Sequence, residues 1–192
     1  RNDNYWGQQP PIERIEYRII KDPEQGWAQL QSGNIDFLGK ISEPRYRTEI
    51  LEGGPNSPFK TGELEHDMVD AFAYYYIGWN MDKDIFADKR VRHAMTHAFN
   101  RQGIIDNVLH GLGELQTGPF YYDHPATNPN IEALPYDLEK AAQLLDEAGW
   151  VDSNGDGIRD KVIDGERQNF SFTLTAYNQP TVRSWTTVFQ ED

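Results

Sequence analysis

The sequence predicts an α/β fold: a mixed sheet with flanking helices. Three observations carry this reading. Segments that alternate apolar and polar residues interleave with segments whose apolar residues recur every three or four positions. The helical segments open on capping residues and close on glycine, as Asp22-Pro23 to Gly33 and Asp137 to Gly149 do. No internal repeat or low-complexity stretch interrupts this order.

The elements follow in order. Residues 12–21 predict a strand, with Ile15, Tyr17 and Ile19 on one face. Asp22 as N-cap and Pro23 at the first helical position start a short helix carrying Trp27 and Leu30, which Ser32-Gly33 stops. Residues 34–38 read as a short strand, and 42–51 as a helix capped by Ser42. Gly53 to Gly62 is a loop by composition. Residues 72–80 (FAYYYIGWN) read as a strand buried on both sides, and 81–87 as a polar connection. Asp88 caps the strongest helix, whose stripe is Val91, Ala94, Met95, Ala98 and Phe99. A second helix over 102–109 buries Ile104, Ile105, Val108 and Leu109. Residues 113–135 form a long proline-bearing loop. Asp137 caps a helix with Leu138, Ala141, Leu144, Leu145 and Ala148 on one side. Residues 152–160 are a polar turn, 170–177 a half-buried strand, and 180–192 an amphipathic helix with Val182, Trp185 and Phe189 on one face.

Composition bounds the function. The 192 residues are 38% hydrophobic and 12% aromatic, enough for a sizeable core, so wholesale disorder is excluded. Thirty-one acids against 18 bases give a net charge of −13, which disfavours nucleic acid and anionic membrane surfaces as partners. There is no cysteine, hence no disulfide, thiolate metal site or cysteine nucleophile, and no reading of the redox compartment. The longest apolar run is far too short for a membrane span. The chain starts at Arg1 without an initiator Met and stops inside a helical pattern, so the expectation is a piece of a longer protein.

No catalytic constellation stands out. There is no GxSxG elbow, GxGxxG or GxxxxGK[ST] loop. His93 and His97 are four apart on a helix, but the glutamate of HExxH is missing, and packing or surface histidines are the simpler reading. Pairs such as Glu13/Glu16 and Asp146/Glu147 fall on exposed faces. A glycosidase needs two carboxylates facing one cleft, which sequence spacing does not supply.

Two features stay open. Asp152, Asn154, Asp156 and Asp160, with Gly157 at the sixth position, copy the front half of a calcium loop. Ile163 occupies the twelfth position, where a bidentate Glu belongs. The alternative is an Asx-rich turn whose side chains bond their own backbone. Tyr74, Tyr75, Tyr76 and Trp79 alternate faces, so two of them can leave the core for a cleft, where aromatic rings with polar tips suit peptide or sugar contact.

Several blocks, taken in order, resemble the family 5 extracellular solute-binding proteins, the oligopeptide, dipeptide and nickel-binding components of ABC importers. They are Arg1-Asn2-Asp3-Asn4-Tyr5-Trp6-Gly7; Leu30-Gln31-Ser32-Gly33-Asn34-Ile35-Asp36; Asn80 with Phe86 to Ala94 and Asn100-Arg101; and Tyr136 to Trp150 with the Asp-rich turn after it. Ile85 stands where the family often has Pro, and Asn100 where it often has Asp.

The resemblance implies part of the second lobe of a type II periplasmic-binding-protein fold, with residues 1–20 as an inter-lobe strand segment and 21–192 as a partial C-terminal lobe. It implies a non-enzymatic module that captures a peptide or related small solute between hinged lobes and hands it to a membrane permease. The expected location is periplasmic or extracytoplasmic, with a lipid anchor in the full-length protein as an option. Tyr76, Trp79 and Asn80 are the expected cleft-proximal positions. No cofactor is expected beyond calcium at the Asp-rich turn. The rival readings are a glycan-binding or glycan-processing enzyme domain and a calcium-stabilised structural module.

Overall fold

Helix capping decides most of the architecture in the computed structural model, which describes residues 2–191. Arg1 and Asp192, the outer ends of the segments expected above, lie outside the described residues. The chain divides into two compact units, Arg1–Glu65 and His66–Asp192.

In the first unit, α1 spans Pro23–Gln31. Asp22 caps it, its Oδ1 accepting from the N–H groups of Glu24 at 2.8 Å and Gln25 at 3.0 Å. Gly33 ends it at φ +69°, a conformation that a side chain disfavours. α2 (Glu43–Arg45) runs into a π-helical turn, Tyr46–Leu51, and α3 covers Pro58–Thr61 within the stretch expected to be loop. Buried Trp27 holds the unit together. Its ring stacks on Phe59 at 6.0 Å, and the Arg45 guanidinium lies 5.5 Å from its centroid. Arg45 also pairs with Glu24 and with Glu49, tying α1 to the π-helical turn.

The second unit contains α4 (Asp84–Ala87), α5 (Lys89–His97), α6 (Arg101–Asn107), α7 (Leu138–Glu147), the strands β1 (Asp160–Ile163) and β2 (Glu166–Asn169), and α8 (Pro180–Glu191). Its core is Phe86, Val91, Ala94, Met95, Ala141, Leu145, Ala148 and Trp150, joining the predicted stripes of α5 and α7. Trp79, Phe170 and Phe172 pack against it. β1 and β2 form an antiparallel hairpin, Ile163 opposite Glu166, closed by Asp164 and Gly165 at φ +52° and +83°. Two consecutive positive φ values make the tight turn that matches strand twist.

Three cations cover the carbonyl end of α7, which carries no basic residue in its own last turn. Arg90 Nη1 donates to Glu147 O at 2.5 Å, Lys161 Nζ to Ala148 O at 2.8 Å, and Arg159 Nη1 to Trp150 O at 2.7 Å. Arg90 and Lys161 satisfy carbonyls the helix leaves orphaned, Arg159 holds the chain just past its cap, and all three sit near the negative end of its dipole. Arg92 does the same for α4, donating to Phe86 O and Ala87 O.

The segments 12–21, 34–38, 72–80 and 170–177, expected as strands, join no ladder among the described residues, where the one sheet is β1–β2. A strand is fixed by a partner's backbone, and periodicity alone does not supply one. Ile15, Tyr17 and Ile19 are accordingly exposed, Ile19 at 91%. Among the described residues no helix is long and apolar enough to cross a membrane.

Candidate functional site

The aromatic segment 72–80 separates its faces cleanly near its end. Ile77 and Trp79 turn inward, while Tyr76, Gly78 and Asn80 turn outward. Trp79 lies 4.7 Å from Phe86, 5.8 Å from Phe172 and 6.2 Å from Phe189, ring centre to ring centre. That is the surrounding of a packing residue. Tyr76 is 76% exposed and lies 5.8 Å from Tyr74, two residues back on the same side. Asn80 is exposed, and its Oδ1 accepts from Asp82 N–H at 3.0 Å. Of the three expected cleft positions, Tyr76 and Asn80 thus share a face, and Trp79 backs them from the other side.

The Asp-rich turn gathers its oxygens around backbone amides. Asp152 Oδ1 accepts from Gly155 N–H at 2.7 Å and Asp156 N–H at 3.2 Å, and its Oδ2 from Gly157 N–H at 2.9 Å. The Gly157 amide foremost, with those of Gly155, Asp156 and Asn154, holds the Asp152 carboxyl below the ordinary carboxylate range. Asp156 Oδ1 accepts from Ile158 N–H at 2.8 Å, and its Oδ2 from the Asn154 side-chain amide at 2.9 Å. Asp160 is buried and faces the other way, against Ser153 Oγ at 2.8 Å and Arg167 at 3.7 Å. Asp152, Asn154 and Asp156 therefore meet in one turn, and Asp160 serves a separate contact. Among the described residues no group of three or more His, Cys, Asp or Glu side chains is arranged to hold a metal ion.

His97 proves to be an anchor. It is buried, its Nδ1 lies 2.8 Å from Pro135 O, and its own carbonyl accepts from Asp137 N–H at 2.9 Å. Arg101 Nη2 donates to Leu134 O. Residues 134–137, which lead the long loop into the cap of α7, are thereby fixed to α5 and α6. Burial foremost keeps His93 below the ordinary imidazole pKa, with Lys89, His97 and Arg92 adding repulsion.

Beside this anchor is a groove of about 340 Å³ lined by Phe99, Arg101, Gln102, Leu115, Ala133, Leu134, Pro135 and Tyr136. No motif in the sequence marks it. Its walls come from a helix start and a loop 30 residues on, which no periodicity links.

A family model described as "Bacterial extracellular solute-binding proteins, family 5 Middle" matches residues 1–192. The oligopeptide-binding protein AppA of Bacillus subtilis (strain 168) is 37% identical over 185 residues, which is 95% of this chain and 31% of that protein. The nickel-binding periplasmic protein of Escherichia coli (strain K12) is 30% identical over 177 residues, 91% of this chain and 32% of that protein. Among solved structures, Bacillus subtilis AppA in complex with a nonapeptide is similar at a TM-score of 0.67 and 36% identity, over 90% of this chain and 32% of that one. NikA from Brucella suis in complex with Fe(III)-EDTA is similar at a TM-score of 0.67 and 28% identity, over 86% of this chain and 32% of that one. The chain spans about a third of the length of these relatives. The likeness carries the fold class, a mixed helix and strand portion of a type II periplasmic-binding-protein lobe.

Proposed function

The chain belongs to the family 5 bacterial extracellular solute-binding proteins, and from that membership we propose that it is part of the substrate-binding component of an ABC importer. The complete protein captures a peptide between two hinged lobes and delivers it to a membrane permease. It works outside the cytoplasmic membrane, in the periplasm or its extracytoplasmic equivalent, free or lipid-anchored. Its task is capture rather than bond-making.

The observation that carries this reading is the 37% identity, over nearly the whole chain, to an oligopeptide-binding protein. Peptide is favoured over a nickel chelate by that figure against 30% for the nickel-binding relative. Within the chain, residues 1–20 serve as the inter-lobe strand segment and 21–192 as part of the second lobe. Tyr76 and Asn80 face the solute, and Trp79 fixes their backbone from behind.

The test is mass spectrometry, under native conditions, of the complete protein purified from its own cells. A co-purifying peptide released on denaturation supports the reading. A co-purifying metal chelate, or turnover of a glycoside abolished by changing a single carboxylate, overturns it.

A further inference from the structure

The turn after α7 concentrates the chemically weakest links of the chain. Asparagine is a thermolabile residue. It is most reactive before glycine, whose bare backbone lets the next amide nitrogen reach the side-chain carbonyl carbon. The sequence contains one Asn-Gly step, Asn154-Gly155, and two Asp-Gly steps, Asp156-Gly157 and Asp164-Gly165. All three are exposed, and a Cβ added at any of these glycines meets nothing within 4 Å. By sequence and exposure alone, Asn154-Gly155 is the first of them to age.

The structure holds the reacting groups of two of these steps apart. The nucleophile at each is the glycine amide nitrogen, and one side chain engages both. Gly155 N–H donates to Asp152 Oδ1 at 2.7 Å, and Gly157 N–H to Asp152 Oδ2 at 2.9 Å. The electrophiles are held as well. Asn154 Oδ1 accepts from Asp156 N–H at 3.2 Å, and its Nδ2 donates to Asp156 Oδ2 at 2.9 Å. Asp156 Oδ1 accepts from Ile158 N–H at 2.8 Å. An amide that donates to a carboxylate resists losing its proton, because the anion it would become faces a negative charge. It must also release that bond before its nitrogen can turn toward Cγ. The same amides, that of Gly157 foremost, hold the Asp152 carboxyl below the ordinary range, so it remains an acceptor at neutral pH.

We propose that Asn154-Gly155 and Asp156-Gly157 are isoaspartate-forming modification sites kept dormant by Asp152, which holds the attacking amide of each. Released, the Gly155 nitrogen loses its proton to water and bonds to Asn154 Cγ. The Cγ–Nδ2 bond breaks, and Nδ2 takes up a proton from water and leaves as ammonia. Water then opens the succinimide at either carbonyl, leaving aspartate or isoaspartate. At Asp156 the same ring closes on the protonated carboxyl with loss of water. The first event promotes the second, because it replaces the Asn154 donor with a carboxylate set against Asp156.

The test ages the complete protein in warm neutral buffer, folded and in concentrated urea. Digestion and mass spectrometry read deamidation as the mass gain at Asn154. Enzymatic methylation and backbone fragmentation locate isoaspartate. In the folded wild type both guarded steps are expected to react slower than in urea by on the order of tenfold, the rate equivalent of one hydrogen bond to a charged group. Equal rates in the two states overturn the proposal.

Two variants then separate Asp152 from the fold at large, with Asp164-Gly165 as the internal standard, since its amide is not among the donors to Asp152. Asp152→Ala with wild-type circular dichroism is expected to speed both guarded steps and to leave Asp164-Gly165 at its wild-type rate. Unchanged rates, or an equal rise at all three steps in that folded variant, overturn the guard. Asp152→Asn keeps the size of the side chain but has one acceptor oxygen for the two glycine amides, so at least one guarded step is expected to accelerate. Both steps ageing at the wild-type rate in Asp152→Asn overturn the guard whether or not Asp152→Ala folds.

Discussion

Arg90 reaches from the first turn of α5 to the carbonyl of Glu147, 57 residues away, and donates to it at 2.5 Å. The same guanidinium grips Asp88, the cap of its own helix, at 2.6 Å. One side chain therefore couples the start of α5 to the end of α7, the two helices whose apolar faces make the core. Arg90→Ala is expected to lower the melting temperature by a few degrees, and Arg90→Lys to recover less than half of the loss, since an ammonium lacks the fork that meets both acceptors. Equal melting of the wild type and Arg90→Ala would count against this coupling.

The Asp88–Arg90 pair also sets a pH dependence. The hydrogen bond from Arg90 is the largest cause holding the Asp88 carboxyl below its ordinary value, and backbone amides do the same for Asp152. A folded pKa below the unfolded one means stability that is present above the unfolded value, near 4, and is lost as pH falls through the folded one. Melting temperature is therefore expected to decline as pH drops below about 4. Asp88→Asn, which keeps a capping oxygen and removes the charge, is expected to flatten the part of that decline owed to Asp88. An unchanged acid limb in Asp88→Asn would contradict it.

What the sequence disclosed depended on whether the determinant was local. The caps at Asp22, Asp88 and Asp137 and the stripes through Val91 and Leu145 are written within a few residues, and each forms in the structure. The hairpin at 160–169 was equally local. Asp164-Gly165 between Val162-Ile163 and Arg167 is its signature, but the polar composition hid it. The strands at 12–21 and 72–80 failed for another reason, since pairing depends on a partner backbone that alternation does not specify. The resemblance places Trp79 near the cleft, whereas in the structure Phe86, seven residues on, and Phe172 and Phe189, both distant in sequence, surround its ring. Nothing local marked the Arg101 groove, because its other walls come from residues 115 and 133–136.

Tyr76 and Trp79 should separate on mutation. Trp79→Ala removes a ring packed against three phenylalanines and is expected to cost about 3 kcal/mol, the low end for such truncations. Tyr76→Ala removes an exposed ring and is expected to leave the melting temperature within a degree or so while weakening peptide affinity in the complete protein. Chemical denaturation and calorimetric titration of the two variants check this together. Tyr76→Ala with unaltered affinity would remove Tyr76 from the solute face.

The closure of the hairpin gives a conformational prediction. Gly165 sits at φ +83° with open space where a Cβ would stand. Gly165→Ala therefore meets no clash and costs only the left-handed backbone, about 1 kcal/mol. Gly165→Asn, tolerated in that region, is expected to cost less. Equal losses in the two variants would show that something other than φ governs the turn.

The Asp-rich turn bears on calcium through competition for the same oxygens. Both oxygens of Asp152 already accept amide hydrogens, from Gly155, Asp156 and Gly157, and those of Asp156 accept from Ile158 and Asn154. A cation entering here must strip these bonds, and it finds Ile163 at the position where a loop of this kind supplies its bidentate acid. Asp160 is committed to Ser153. Millimolar calcium is therefore expected to leave the melting temperature unchanged, because a ligand stabilises the folded state only where its concentration approaches or exceeds its Kd. Asp152→Ala is expected to lower it equally with and without calcium, since the loss is of amide acceptors and not of a ligand. A rise with calcium that disappears in Asp152→Ala would restore the cation and make the amide contacts the resting state of a metal loop.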